Sequence, residues 1–147
     1  MHHIANPDFA QNVLDSFKRQ NAMELIRASM PVVEHGKTEI HVPHWTGVEQ
    51  QHGFVHGGVV GMVADSSAGY AAMTMIPANA SVLSVEYKLN FLAPAVGEKL
   101  IARGQVVRAG KTLIVSRSKV YSVSGDQEKL CALMQQTLMV VYDQAEK

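Results

Sequence analysis

The sequence predicts an α+β domain in which an antiparallel sheet of about five strands wraps one long buried helix. Two observations predict it. From Gly57 to about Met75 the chain is almost all Gly, Ala, Val, Met and Ser, with Asp65 as its one charge and no proline before Pro77. A helix that is apolar nearly all round is a buried helix. Further on, Leu83, Val85, Tyr87, Leu89 and Phe91 alternate with Ser84, Glu86, Lys88 and Asn90, the period-two signature of a half-buried strand. The later runs are strands joined by short turns, the pattern of an antiparallel meander.

Taken in order, Asn6-Pro7-Asp8 reads as an N-cap with proline at the first helical position, and Phe9, Val13, Leu14 and Phe17 follow at helical spacing. A short amphipathic helix therefore opens the chain, and residues 22–28 add another turn or two. Pro31 starts a strand-like run in which Val32, Gly36, Ile40 and Val42 share parity, interrupted by the polar Glu34 and Thr38. Pro43-His44-Trp45-Thr46-Gly47 is a loop on turn chemistry. Small residues of the long helix (Gly61, Ala64, Ala68, Ala71, Ala72) allow a sheet to approach closely, although each glycine costs about 1 kcal/mol relative to alanine. Ala93-Pro94-Ala95-Val96-Gly97 ends the strand over residues 83–91. Two more strands, about Lys99 to Val107 and Leu113 to Val123, flank the hairpin-type connection Ala109-Gly110-Lys111, and Ser124-Gly125-Asp126-Gln127 turns the chain into a last strand from about Leu130 to Tyr142. With no internal repeat, residues 1–147 read as one domain, of which 1–30 form an N-terminal helical extension.

Composition narrows the function classes. Lys plus Arg number 13, as do Asp plus Glu, and the isoelectric point is about 7.1, so no global field favours nucleic acid or an anionic membrane. The single cysteine, Cys131, sits in an alternating apolar run and reads as a small core residue. Met1-His2-His3-Ile4 lacks the basic and apolar regions of a signal peptide, and no apolar run approaches transmembrane length; a soluble cytoplasmic protein is expected. The seven histidines have no cysteine or carboxylate at ligand spacing, so neither a metal nor a cofactor is predicted.

Chemistry concentrates between Gln50 and Asp65. Gly57 and Gly58 at the start of the long helix leave backbone N–H groups unpaired at the positive end of the macrodipole, the physical description of an oxyanion hole. Asp65, a lone acid on an apolar helix, is costly to bury without a partner or a task. Gln50, His52, His56, Ser66 and Ser67 are polar groups able to orient a water or a substrate. Plainer readings stand beside these: a tight turn for the glycines, a buried structural acid for Asp65, a loop position for His52 and helix packing for Ser66 and Ser67. Ser84, in register with Glu86 and Lys88, reads as a residue of a solvated face. No Gly-x-Ser-x-Gly elbow accompanies the stretch.

Gly57 and Asp65 are eight residues apart, about 12 Å along a helix, whereas a base and an oxyanion hole must both lie within about 3 Å of one reacting group. One chain cannot supply both to one site. Asp65 of one subunit must face the Gly57 region of another, which requires at least a homodimer with two equivalent sites.

Gln50-x-His52-Gly53-x-x-His56-Gly57-Gly58 with Asp65 nine positions after His56, then Ser84-Val85-Glu86-Tyr87-x-Leu89-x-Phe91-Leu92-x-Pro94-Ala95 and Gly110-Lys111-Thr112, resembles the hotdog-fold acyl-CoA thioesterases of the phenylacetic-acid-degradation (PaaI-like) type over roughly residues 45–142. The resemblance implies a hotdog fold with a five- to six-stranded sheet, a homodimer able to pair into a homotetramer, and an acyl-CoA substrate at the dimer interface. It implies Asp65 as general base or nucleophile, the Gly57 amide as the group polarising the thioester carbonyl, and His56 as part of that end of the site. Gly58 and His52 fall in the same substrate-binding stretch, beside Ser66. Gln50 stands where the family often has Asn, positioning the water or thioester, and Ser84 matches a site serine of some members. Two alternatives remain at this stage: a hotdog hydratase or dehydratase acting on acyl thioesters, and a noncatalytic acyl-CoA binding module, which would have no need of Asp65.

Overall fold

The computed structural model describes residues 4–142; the expectation for Met1, His2 and His3 lies outside the described residues. Two short helices, α1 (Phe9–Arg19) and α2 (Asn21–Leu25), precede strands β1 (Ser29–Glu34) and β2 (Lys37–Pro43). A single 3₁₀ turn (Thr46–Val48) leads to the long helix α3 (Gly57–Met73), and β3 (Ala80–Phe91), β4 (Lys99–Ala109), β5 (Leu113–Ser124) and β6 (Gln127–Tyr142) follow. All six strands form one antiparallel sheet in the order β1-β2-β4-β5-β6-β3. The predicted α+β class, the long helix and the short turns of the second half are all present.

Four details differ from the expectations. α1 starts at Phe9 with Asp8 as its N-cap, because Asn6 first closes a turn of its own: its Oδ1 accepts from Asp8 N (3.0 Å) and its carbonyl from Phe9 N (3.3 Å). The run from Pro31 is not one strand but a hairpin, since Gly36 takes φ +79°, a left-handed conformation that glycine adopts freely. Its N–H donates to Thr74 Oγ1 (2.7 Å), which ties the hairpin turn to the end of α3. The strands are not a simple meander. β4 is flanked by β2 and β5, so β3 has no free partner there and pairs instead with the outer edge of β6. As an edge strand in this chain, β3 is exposed rather than half-buried, with Leu83 at 50%, Val85 at 57% and Phe91 at 59%.

The core lies between α3 and the concave face of the sheet. Val63, Ala64 and Ala68 are fully buried there with Ile40, Leu100 and Met134, and Val13 of α1, Met23 of α2 and Ile26 just after α2 join the same cluster. One turn of α3 is seated closest. The Ser67 carbonyl accepts from Thr38 Oγ1 of β2 (2.7 Å), and the Ser67 hydroxyl lies 2.7 Å from that of Ser118 on β5. These bonds explain why polar Thr38 occupies an inward position. Between them, Gly104 of β4 passes so close that a Cβ would fall on the Ser67 carbonyl and within 2.8 Å of the Ala68 nitrogen. The convex face is charged. Burial acts to raise the pKa of Glu39, but hydrogen bonds from His41 and Arg103 outweigh it and hold the carboxyl below its ordinary range. Arg103 also grips Glu128 through two bonds (2.7 and 2.8 Å) and lowers that carboxyl too.

Gly104→Ala is expected to destabilise the fold by about 1–3 kcal/mol, because backbone atoms of α3 cannot yield. Gly69→Ala, where a Cβ would meet only Leu138 Cδ2 at 3.8 Å, leaves stability unchanged or raises it by up to about 1 kcal/mol. Urea unfolding midpoints of the two variants check the contrast.

Candidate active site

The glycine end of the site is built by a stapled loop. Gln50 N donates to the Phe54 carbonyl (2.8 Å), Gly53 N donates to the Gln50 carbonyl (3.0 Å), and Gln50 Oε1 accepts from the backbone N–H groups of His52 and Phe54. Gly53 takes φ +80° inside this turn. Val55 N then donates to the Ala95 carbonyl and His56 N to that of Val48, which delivers His56 to the N-cap of α3. Its Nδ1 accepts from Gly58 N (2.8 Å), and its carbonyl accepts from Val59 N and Val60 N (2.9 and 3.1 Å). Accepting through Nδ1 puts the neutral ring's proton on Nε2. Three of the four N-terminal N–H groups of the helix are thus satisfied, and among the described residues only that of Gly57 has no acceptor. A Cβ on Gly57 would stand 3.1 Å from the tip of the Phe91 ring, so the amide sits beside an aromatic wall.

The acid end lies two turns along α3. Asp65 is half-buried, and its carboxylate accepts from the Ser84 hydroxyl (2.7 Å) and from Gln136 Nε2. Gln136 Nε2 also lies 2.7 Å from Ser84 Oγ, closing a three-residue cluster. A β-bulge makes this possible. Ser84 pairs with Leu138 but Glu86 pairs with Thr137, so Val85 is an extra residue in β3. The bulge reverses the alternation: Ser84 faces Asp65 of α3, while Glu86, which simple parity would put on the same face, accepts instead from Thr137 Oγ1 on β6. Ser84 is exposed in this chain, as its solvated-face reading expects, but its hydroxyl turns to Asp65 rather than away from α3.

Gln136 was missed from sequence. It is fully buried among Met134, Leu138 and Val140 on the inward parity of β6, and a lone amide in that apolar row is the signal that identifies it. Its Oε1 is buried without a partner among the described residues, a state that costs about 1–3 kcal/mol in an apolar interior and points to a ligand or water.

The structure thus joins Asp65 to Ser84, with Ser66 next to them on a cavity of about 170 Å³. It separates them from Gln50, His56, Gly57 and Gly58 at the other end of α3, and His52 is exposed on the loop. Ser66 and Ser67 divide their duties: Ser67 is a packing residue, whereas Ser66 Oγ donates to Oε1 of Gln20, the residue between α1 and α2 (3.2 Å). Burial pushes the Cys131 thiol up, consistent with a core residue rather than a nucleophile. Among the described residues no three His, Cys, Asp or Glu side chains converge, and no helix is long and apolar enough to cross a membrane.

A six-stranded antiparallel sheet folded round one long helix is the hotdog fold. Residues 52–129 match the thioesterase superfamily, and a thioesterase family protein of Silicibacter pomeroyi is 41% identical with a TM-score of 0.89, over 91% of this chain and 98% of that one. The chain belongs to the thioesterase superfamily. The PaaI protein of the Escherichia coli phenylacetic acid degradation operon has the same fold, with a TM-score of 0.84 over 95% of this chain and 97% of that one at 18% identity. A 1,4-dihydroxy-2-naphthoyl-CoA hydrolase of Listeria monocytogenes is 27% identical over 80% of this chain and 93% of its own length. A Saccharolobus solfataricus protein provisionally named an esterase is 32% identical over 56% of this chain, which spans 59% of that relative's length.

His56→Ala is expected to cost about 1 kcal/mol by leaving the Gly58 N–H without its cap, and His56→Asp to restore most of that loss. Chemical denaturation of the three proteins checks it.

Proposed function

We propose that the chain is one hotdog domain, with residues 1–30 as its helical extension, that hydrolyses aryl- or medium-chain acyl-CoA thioesters to the free acid and CoA in the cytoplasm. Membership of the thioesterase superfamily and the Listeria relative support the class of reaction. The observation that carries the mechanism is the pairing of two incomplete half-sites on one helix: a carboxylate held by Ser84 and Gln136, and, about 12 Å away, a Gly57 amide with no acceptor among the described residues.

The working unit is a homodimer, able to pair further into a tetramer, in which each site takes Asp65 from one protomer and the glycine turn from the other. The exposed apolar residues of the edge strand β3, Leu83, Val85 and Phe91 among them, support docking of a second copy along that edge. Asp65 acts as base on a water that attacks the carbonyl carbon, or attacks that carbon itself to form a mixed anhydride that water then opens to the free acid. Negative charge develops on the carbonyl oxygen and is met by the partner's Gly57 amide at the positive end of α3. The C–S bond then breaks, and CoA leaves as a thiolate that takes up a proton. His56 fixes the helix start, Gly58 lets substrate approach the backbone, and Gln50, with His52 beside it, positions water or thioester. Ser84 and Gln136 orient the carboxylate, and Ser66 contacts the substrate.

Asp65→Asn is expected to lower thiol release by at least about 10²-fold while the protein stays folded and dimeric. Gly57→Pro is the matching test of the other half. His56 has ψ 136°, which suits a following proline, and proline is tolerated at the first helical position, so the helix start is kept while the amide donor is lost, and Gly57→Ala controls for the Cβ that both variants place 3.1 Å from the Phe91 ring. It should lower kcat by about 10²–10³-fold, with Gly57→Ala far less affected. Unchanged turnover in Asp65→Asn and Gly57→Pro would overturn the mechanism.

A further inference from the structure

Two buried polar atoms on neighbouring strands of the inward sheet face lack a partner. Ser116 of β5 and Gln136 of β6 are both fully buried. They are direct cross-strand partners, which places their Cβ atoms about 5 Å apart. Ser116 Oγ and Gln136 Oε1 each have no hydrogen-bond partner among the described residues. Their surroundings offer little: the inward positions on either side are Ile114 and Ser118 on β5, and Met134 and Leu138 on β6. The Ser118 hydroxyl is already engaged with that of Ser67. Stranding a donor and an acceptor in an apolar interior is costly, and native interiors do so rarely.

The two groups are chemically matched. Gln136 turns its amide nitrogen to the site, donating from Nε2 to Asp65 Oδ1 and to Ser84 Oγ, so its Oε1 is left as an acceptor. Ser116 has a hydroxyl hydrogen to give. The two atoms do not bond directly in the structure; a water accepts from one group and donates to the next, and buried polar groups are commonly joined in this way. We propose that one internal water links Ser116 Oγ to Gln136 Oε1, and that Ser116 is thereby a positioning residue for Asp65, acting through Gln136. The chain of bonds runs from Ser116 on β5 through Gln136 on β6 to Ser84 on β3 and Asp65 on α3. It pins the far end of the Gln136 amide, and with it the angle at which Nε2 meets the carboxylate. A base or nucleophile displaced from its productive geometry loses rate even when the displacement starts far from the chemistry. The link also explains why polar residues stand at 116 and 136 in rows that are otherwise largely apolar. The inference rests on the thioester-hydrolase reading above.

Steady-state thiol release tests it on benzoyl-CoA or hexanoyl-CoA, whichever wild type hydrolyses faster, with the full chain and the variants Ser116→Ala, Gln136→Met and the two combined. Ser116→Ala should lower kcat by about tenfold while KM stays within about twofold of wild type and the urea midpoint is unchanged. Gln136→Met should lower kcat at least as much, yet keep or raise the urea midpoint, because an apolar side chain of similar size leaves no stranded acceptor. Gln136→Leu replaces it if that variant does not fold. In the combined variant kcat should match that of the position-136 variant alone within about twofold, since Ser116 has no other route to Asp65; a merely structural role would give the same fold loss in both backgrounds. A crystal structure of wild type should show one water within hydrogen-bond distance of both atoms. Wild-type kcat in Ser116→Ala, an equal fold loss in both backgrounds, or no water between the two atoms overturns this inference while leaving thioester hydrolysis intact. No thiol release from either thioester by wild type overturns the hydrolase reading and this role of Ser116 with it.

Discussion

The seating of α3 on the sheet at Ser67 is the constraint on which the rest of the molecule depends. Strand β2 supplies a hydroxyl to the Ser67 carbonyl, β5 supplies one to the Ser67 side chain, and β4 offers Gly104 where no side chain would fit. Three neighbouring strands thereby fix both the distance and the rotation of one helical turn. Rotation matters most. At about 100° per residue, a side chain two positions before Ser67 points to nearly the opposite side of the helix, and that residue is Asp65. The contact that buries Ser67 among β2, β4 and β5 is therefore what aims Asp65 at β3 and β6, where Ser84 and Gln136 receive it. The cost of a polar residue on a buried helix is offset because both of its neighbours in space are polar too.

The edge strand β3 carries two structural consequences of one extra residue. The bulge at Val85 turns Ser84 toward the helix while leaving Tyr87 and Leu89 near Gly61 further along the same strand. It thus allows a strand that turns Tyr87, Leu89 and Phe91 toward α3 to contribute one polar group to the carboxylate as well. At the far end of β3, Phe91 lies against Gly57, so both half-sites border the same strand. An interface along β3 would bring two copies of each half-site into register, which is the geometry that the spacing within one helix requires.

Much of this was legible in the sequence where the physics is local. The helix from Gly57 to Met73 was visible because an uncharged run of small residues has few other fates, and its lone acid stood out for the same reason. The glycine turn and its capping histidine were also readable, since the capping bond runs between residues two apart. What escaped depends on contacts distant in sequence. The pairing of β3 with β6 rather than β4 follows from which edges are free, and alternation carries no information about that. Simple parity misplaced Ser84 because a single inserted residue reverses the faces of a strand without leaving a compositional mark. Gln136 was hidden in a strand read only as apolar, and Gly36 was read as a member of a strand because its position fits the alternation even though its conformation breaks it. The hairpin of β1 and β2 followed from that one glycine.

The central claim is that each site is assembled from two protomers, with the carboxylate from one and the helix N-terminus from the other. Mixing Asp65→Asn with Gly57→Pro chains after unfolding, and refolding them together, tests it most directly. In a random mixture half of the dimers are mixed, and each mixed dimer carries one site with both halves intact and one with neither. Thiol release should return to about a quarter of the wild-type value, although each parent alone is nearly inactive. Activity of the mixture no greater than the average of the two parents would contradict the shared site.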